Sequence, residues 1–299
     1  MKNRTGKAIL LGCLLAAQGV SAETGNTLRN PDNLYTKQVS YAAPAPRVRS
    51  HIALIYDEQE QRPLFNKNAE RVVPIASITK LMTAMVTLDE MQPLDEAVSV
   101  EDDNLNKIRR AKSRLPFGMT LTRGELLWLA LMASENRAAS ALARSYPGGT
   151  EAMVAAMNDK ARALGMENTR FVGPTGLDKG NVSTANDLVK MIAAAREYPL
   201  IRQYSTAPSY SVAAEGGREL RFGNTNPLVK SAAWDIGLSK TGYIHESGLC
   251  LVMEANIDQR PVIIVLLNSW GKHTRVGDAN RIKKWMERQN RFARNIRES

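Results

Sequence analysis

An uncharged run of eight residues, Leu81–Leu88 (LMTAMVTL), constrains the fold more than any other stretch of this chain. Its apolar residues recur at helical spacing, which predicts a helix that is buried on most sides and ends near Pro93. Ser77 and Lys80 stand at the head of this helix, three residues apart and therefore on one face. Burial lowers the pKa of a lysine, and a neutral lysine can take the proton of a neighbouring serine and make it a nucleophile.

The Ser-x-x-Lys pattern is weak evidence by itself. A second copy, Ser269 and Lys272, follows an apolar run and is predicted to be a strand end and a loop. Ser77 could also simply cap the helix, with Lys80 exposed in the first turn. The case for chemistry therefore depends on the rest of the chain.

The N-terminal residues 1–22 are predicted to be a secretory signal peptide. Three basic residues precede thirteen apolar ones, residues 8–20, and small residues follow at the cleavage position. Thirteen apolar residues are too few to span a bilayer comfortably, which favours cleavage and export over a retained anchor. Residues 23–50 are polar and contain three prolines, which predicts a linker. After cleavage Cys250 is the remaining cysteine, so no intramolecular disulfide is expected.

The charge of the chain is basic, +10 at pH 7, and +7 remains after removal of the leader with its three basic residues. This balance suits a polyanionic partner, although basic residues scattered over a solvated surface are the commoner explanation. Aromatic residues make up 6% of the chain and do not alternate with basic ones, so nucleic acid is not expected as a partner.

The order of predicted elements is strands, then helices, then strands and a final helix, which indicates an α+β protein with an inserted helical lobe at about 92–205. The domain is expected to span 51–299. A hairpin is predicted at 51–65 and another at 210–222. Thr122 and Glu125 form a predicted capping box, and Thr150 and Thr184 are predicted helix caps. Predicted helices cover 126–132, 136–145, 151–164, 184–198 and 279–296, and predicted strands cover 237–244, 248–255 and 261–267.

Ser134-Glu135-Asn136 is a short polar connection between two apolar helices, and it is the only Ser-x-Asn in the chain. A hydroxyl and an amide held in such a turn could relay a proton and hold a substrate amide. Alternatively, Ser134 or Glu135 only caps the next helix.

Lys240-Thr241-Gly242 lies in a strand-like run, where Lys240 and Gly242 face one way and Thr241 the other. A glycine here lets another backbone approach closely, as when a substrate adds to a sheet edge. Alternatively, this is an ordinary edge strand with a solvated lysine.

The three motifs follow one another at intervals of 57 and 106 residues, and each falls in a suitable element. In this the chain resembles the penicillin-interacting serine DD-peptidases, from about His51 to Trp285. Together PIASITKL, SENRAA, FVGPTGL and SKTGY resemble the low-molecular-mass DD-endopeptidases of the penicillin-binding protein 7 type. The resemblance implies a β-lactamase/transpeptidase-like fold with an antiparallel five-stranded sheet flanked by helices.

The resemblance also implies roles for individual residues. Ser77 would form an acyl-enzyme with Lys80 as general base, and Ser134 with Lys240 would return the proton to the leaving amine. The backbone N–H groups of Ser77 and Tyr243 would form the oxyanion hole. The residues implied to bind substrate are Asn136, Lys240, Thr241, Gly242, Tyr243 and, on a loose alignment, Arg275.

The function implied is that of a periplasmic endopeptidase that cuts D-alanyl–diaminopimelate cross-links in peptidoglycan and is inhibited covalently by β-lactams. No cofactor or metal is implied. The Glu-x-x-Leu-Asn pattern of class A β-lactamases is missing, so slow release of penicillin is expected. A DD-carboxypeptidase needs the same catalytic residues, but such relatives usually carry an extra β-rich domain and an amphipathic tail. A non-catalytic wall-binding scaffold is the alternative from another class, and contacts with the membrane surface or other wall enzymes stay open.

Overall fold

The computed structural model describes residues 44–101 and 113–298. The predicted signal peptide and the first part of the predicted linker, residues 23–43, lie outside the described residues. Eleven strands and seven α-helices lie within them. The strands are β1 Ile52–Asp57, β2 Arg62–Lys67, β3 Val73–Pro74, β4 Ala97–Ser99, β5 Thr120–Thr122, β6 Val182–Ser183, β7 Ser209–Ala213, β8 Glu219–Gly223, β9 Asp235–Ile244, β10 Gly248–Ile257 and β11 Arg260–Ser269. The helices are α1 Thr79–Asp89, α2 Arg123–Met132, α3 Asn136–Arg144, α4 Gly149–Ala163, α5 Ala185–Ala195, α6 Pro199–Thr206 and α7 Thr274–Glu298.

Five strands form one antiparallel sheet in the order β2-β1-β11-β10-β9, as the sequence predicts. The first strand of the domain pairs with the last, with Ile52 opposite Leu267. Helices α1 to α6 fall between β2 and β9 in the sequence, which confirms a helical insertion. Strand β9 is the edge strand of this sheet, and helix α6 packs against it, with the Ser239 N–H donating to Ser205 Oγ at 3.3 Å.

The sheet is buried on both faces, because successive side chains of a strand point to opposite sides. On β11 the residues Ile263, Val265 and Leu267 belong to the cluster shared with the inserted helices. The alternate residues Val262, Ile264 and Leu266 belong to the cluster shared with α7. Burying one such side chain contributes about 1.5–3 kcal/mol. The predicted apolar face of the final helix is confirmed, since Ile282, Trp285 and Met286 pack in the second cluster.

Helix α1 runs through the centre of the inserted helices and contacts α2 to α6. Nine of its eleven residues are buried, which confirms the prediction from its uncharged run. It ends at Asp89, before the predicted end near Pro93, because Met91 adopts a left-handed backbone with φ 56°. The chain therefore leaves the helix two residues before the proline.

Two details of the helices differ from the prediction. Thr150 does not cap α4, because Gly148 occupies the cap position with φ 81° and the helix begins at Gly149. The helix predicted at 184–198 ends earlier, at Ala195 (α5), and a further helix that was not predicted, α6, follows it. Pro199 begins the second one, since a proline ring fits the first turn of a helix and cannot continue the preceding one. The capping box of Thr122 and Glu125 is confirmed.

The last residues of the predicted linker contact the sheet domain. Ser50 is buried, and the backbone N–H groups of Arg49 and Ser50 donate to the Asp278 carboxylate at 2.8 and 2.7 Å. Asp278 lies in the first turns of α7, so this contact joins the chain before β1 to the final helix. Among the described helices, none has the length and apolar character needed to cross a membrane.

Candidate active site

Ser77 lies in a 3-10 turn, Ala76–Ile78, that leads directly into α1. Lys80 lies in the first turn of α1, and its Nζ is 2.9 Å from Ser77 Oγ. The helix cap is Ile78 and makes no side-chain hydrogen bond, so the interpretation of Ser77 as a simple cap is wrong. Lys80 is 0% exposed, so the interpretation as a solvated first-turn lysine is also wrong.

The other partners of Lys80 are compatible with a neutral amine. Its Nζ donates to Asn136 Oδ1 at 2.8 Å and to the Thr175 carbonyl at 2.6 Å. Both oxygens can only accept, whereas Ser77 can also donate. A neutral amine has two N–H groups for the two acceptors and one lone pair left for the Ser77 hydroxyl. The arrangement can therefore draw the proton from Ser77 to Lys80.

Burial lowers the pKa of Lys80 to about 7, and the nearby Glu135 carboxylate partly opposes this shift. Desolvation disfavours the charged form of a lysine, so a substantial fraction of Lys80 is neutral near neutral pH. A general base is most effective when its pKa lies near the working pH.

Lys240 occupies the other side of the site. It is 1% exposed, and its Nζ donates to Ser134 Oγ and to the Thr241 carbonyl, each at 2.9 Å. Burial, then the charges of Lys80 and Arg275, lower the pKa of Lys240 well below its usual value. The interpretation of Lys240 as a solvated edge lysine is wrong.

Ser134 lies just before α3 with a left-handed backbone, φ 60°. The cap of α3 is Glu135, and it makes no side-chain capping bond, so the turn does not serve as a side-chain cap. Instead, the left-handed residue turns the chain between α2 and α3, and the Ser134 hydroxyl meets Lys240. The Asn136 amide, two residues on, meets Lys80.

Two glycines allow the chain to close around the Ala76–Ser77 turn. A Cβ atom added at Gly242 would lie 3.0 Å from the Ser77 nitrogen and from the Ile75 oxygen. One added at Gly176, which has φ 77°, would lie 2.0 Å from the Ala76 oxygen. The close backbone approach predicted at Gly242 is therefore made by the chain's own Ala76–Ser77 turn.

The remaining candidate residues lie along β9 and at the start of α7. Thr241 Oγ1 donates to Thr225 Oγ1 at 2.6 Å, and Tyr243 has a 58% exposed side chain. Arg275 Nη1 donates to the carbonyls of Gly242 at 3.2 Å and Cys250 at 3.0 Å. Burial lowers the pKa of Arg275. Arg275 thus supports the backbone of β9 from the α7 side.

Three groups that contribute to the site were not singled out from the sequence as site residues: the Thr175 carbonyl, Thr225 and Glu135. The Gly- and Pro-rich run FVGPTGL was a signal for the first, because Gly176 lets its loop reach Ala76. Glu135 accepts from Ser113 Oγ at 2.6 Å and so holds the segment after residue 112 against the turn. Thr225 carried no sequence signal. Within the described ranges no group of three or more His, Cys, Asp or Glu could hold a metal ion.

Comparison with known proteins identifies the family. The family described as D-alanyl-D-alanine carboxypeptidase, peptidase S11, matches residues 38–271. A D-alanyl-D-alanine endopeptidase of Pseudomonas aeruginosa is 47% identical over 82% of each chain. One of Escherichia coli is 45% identical over 82% of this chain and 79% of its own.

Solved structures similar to this chain indicate the same family. The Streptomyces K15 DD-transpeptidase has a TM-score of 0.75 and 27% identity, over 81% of this chain and 98% of its own. A D-alanyl-D-alanine carboxypeptidase of Mycobacterium tuberculosis has a TM-score of 0.73 and 27% identity, over 82% of this chain and 94% of its own. The predicted fold class is confirmed, with the five-stranded antiparallel sheet and the inserted helices in place. The chain therefore belongs to the D-alanyl-D-alanine carboxypeptidase family of serine peptidases.

Proposed function

We propose that this chain is an exported DD-endopeptidase that hydrolyses D-alanyl–diaminopimelate cross-links in peptidoglycan through an acyl-enzyme on Ser77. The observation that carries the proposal is the 2.9 Å contact between Ser77 Oγ and a buried Lys80 whose other two partners can only accept. The names of the two relatives with 47% and 45% identity favour the endopeptidase.

Ser77 attacks the D-alanyl carbonyl while its proton passes to Lys80. The N–H groups of Ser77 and Tyr243 stabilise the oxyanion, and each such donor contributes about 3 kcal/mol. The amide C–N bond then breaks, and Ser134, supported by Lys240, supplies the proton to the leaving amine. Water hydrolyses the ester on Ser77 and frees the enzyme.

Substrate binds along the edge of β9. Asn136 Oδ1 accepts from Lys80, so its Nδ2 group is the part that donates to a substrate carbonyl. Lys240 and Thr241 bind the carboxylate on the leaving side, and Gly242 lets β9 lie close to the nucleophile turn, Ala76–Ser77. Arg275 contributes positive charge to the same region. β-Lactams acylate Ser77 in place of the peptide and are released slowly.

A DD-carboxypeptidase is the second candidate, favoured by the description of the family that matches residues 38–271. A non-catalytic wall-binding scaffold is the third. The proposed location is the periplasm, after removal of residues 1–22, and the proposed partners are peptidoglycan and β-lactams. Peripheral contacts with the membrane or with other wall enzymes belong to the same proposal.

Fluorescent penicillin tests the nucleophile. We expect covalent labelling of the wild type and at least a hundredfold slower labelling of Ser77→Ala, since the acyl bond has no other oxygen to form on. Ser269→Ala is the matched control, because Ser269 starts the second Ser-x-x-Lys but ends β11 and contacts Ser50 Oγ at 2.7 Å. Undiminished labelling of Ser77→Ala would reject the assignment.

Digestion of purified sacculi separates the candidate activities. An endopeptidase converts cross-linked muropeptides to monomers without releasing free D-alanine. A carboxypeptidase releases free D-alanine, and a scaffold changes neither product. Ser77→Ala serves as the inactive control in each assay.

A further inference from the structure

The edge of β9 sets the direction of a bound peptide, and the inference below rests on the proposed function. The leaving-side carboxylate lies at Lys240 and Thr241, and the attacked carbonyl lies at the N–H of Tyr243. A peptide paired with β9 must therefore continue, on its donor side, past Ile244 toward the turn between β9 and β10. The residues that precede the D-alanyl group reach this end of the sheet.

Two exposed aromatic side chains lie at this end. Tyr243 is 58% exposed and Trp270, which follows β11, is 53% exposed. Tyr243 pairs with Leu249 on β10, and Leu249 pairs with Ser269, the residue before Trp270. The two aromatic residues are thus separated by one strand, or about 10 Å at the usual strand spacing.

Trp270 has a fixed orientation although it is exposed. Its Nε1 donates to Asn268 Oδ1 at 2.7 Å, and its carbonyl accepts from Thr274 Oγ1 at 2.6 Å. The His245 ring meets it edge to face, with centroids 6.3 Å apart and an interplanar angle of 80°. A rigid exposed ring loses little conformational entropy when it binds a partner.

The surroundings are mainly basic. Lys272 and His273 are exposed in the loop after Trp270, and Arg275 lies beside the Gly242 carbonyl. The turn between β9 and β10 contributes one acidic residue, Glu246. The peptides of peptidoglycan carry free carboxylates, so the charge of this surface complements them.

We propose that Tyr243, His245, Trp270 and Lys272 form a donor-peptide subsite that binds the anionic wall peptide preceding the D-alanyl residue. The rings of Tyr243 and Trp270 pack against aliphatic parts of that peptide. Lys272 pairs with its carboxylates. Such a subsite favours a branched, cross-linked substrate over a short peptide.

Steady-state kinetics on three substrates test the subsite: a sugar-free cross-linked peptide dimer, the same dimer with its donor cut back to acetyl-D-alanyl, and the sugar-bearing dimer. For Trp270→Ala we expect kcat/KM on the full sugar-free dimer to fall about tenfold, mainly through KM. We expect no change on the truncated dimer and the same rate of acylation by benzylpenicillin. Lys272→Gln should give a smaller loss that disappears in high salt. Met91→Ala, 87% exposed and beyond the far end of α1, is the matched control.

Each other outcome decides against the subsite. Equal losses on the full and truncated dimers would mean that Trp270 only supports β9. A loss confined to the sugar-bearing dimer would assign the surface to the glycan instead. An unchanged rate on the full dimer would remove the subsite while leaving the proposed function intact. A wild-type protein that takes no penicillin label would reject the proposed function itself.

Discussion

Lys80 and Lys240 are two buried lysines that serve two different serines. Lys80 contacts Ser77 and Lys240 contacts Ser134, each at 2.9 Å. The desolvation of both favours neutral amines, and two ammonium groups this close would repel each other. The sequence could identify these residue types from their motifs. It could not show that the Asn136 and Thr175 oxygens take both N–H groups of a neutral Lys80.

The first prediction at this scale concerns pH. Because Lys80 acts as a base only when neutral, the rate of acylation by benzylpenicillin should rise with pH below about 7 and level off above it. Glu135 raises the pKa of Lys80, so Glu135→Gln should move the midpoint to lower pH. Stopped-flow acylation across a pH series measures both effects.

Asp159→Asn is the control for this series, because Asp159 forms an exposed ion pair with Arg162 on α4. Asp159→Asn should have the same midpoint in the pH profile of acylation as the wild type. A midpoint that moves upward in Glu135→Gln would contradict the assigned role of its charge.

The contact between β9 and the turn before α1 is the central feature at the scale of elements. Much of the element pattern could be predicted, because the continuous apolar runs of β10 and β11 and the uncharged run of α1 are direct consequences of burial. Helix α6 was not predicted, although a proline such as Pro199 favours the first turn of a helix. The contact of Gly176 with Ala76 joins residues a hundred positions apart, and no local pattern encodes it.

The glycine at position 176 provides a test of this contact. Gly176→Ala should destabilise the fold by several kcal/mol, because the new Cβ would lie 2.0 Å from the Ala76 oxygen at a left-handed backbone position. Gly216 has a similar φ of 73° and no atom within 4 Å of an added Cβ. Gly216→Ala should therefore cost only about 1 kcal/mol, the strain of the backbone alone.

Urea unfolding of the two variants and the wild type measures the difference. Penicillin acylation should also slow in Gly176→Ala, since the shift falls on the residue before Ser77. Equal free energies of unfolding for the two variants would contradict this prediction, because they would show that the Gly176 loop moves away from Ala76 without loss of stability.

The described part of the chain forms a sheet between two apolar layers, closed by pairing of the first strand β1 with the last strand β11. Asp278 reinforces the closure: its carboxylate accepts from the Ser50 hydroxyl at 2.6 Å, from two backbone N–H groups and from Arg281. Burial alone would raise the pKa of Asp278, but the hydrogen bonds of Ser50, Arg49 and Arg281 lower it overall.

Replacement of Asp278 should therefore have an effect that depends on pH. Asp278→Asn should lower the free energy of unfolding by about 2–3 kcal/mol near neutral pH, because buried donors lose a charged acceptor. A carboxylate with a depressed pKa contributes stability above its unfolded pKa, about 3.9, and loses it as pH falls through the folded value. The difference in the free energy of unfolding between Asp278→Asn and the wild type should become smaller at acidic pH.

Urea titrations at neutral and acidic pH measure this difference, again with Asp159→Asn as the exposed control. If this difference in the free energy of unfolding stayed constant until the protein unfolds in acid, the Asp278 carboxylate would make no pH-dependent contribution to stability.

The pairing of β1 with β11, together with the packing of Gly242 and Gly176 against the Ala76–Ser77 turn, determines when Ser77 can become reactive during synthesis and folding. Ser77, the proposed nucleophile, is made early in synthesis, but β9, the strand that completes its surroundings, comes more than 150 residues later. Contacts of such long range form late in folding. A chain that is still being made, or that crosses a membrane unfolded, has no reactive serine and cannot cut its own surroundings or be trapped by an inhibitor. Reactivity is therefore a late and reliable sign that the whole domain has folded.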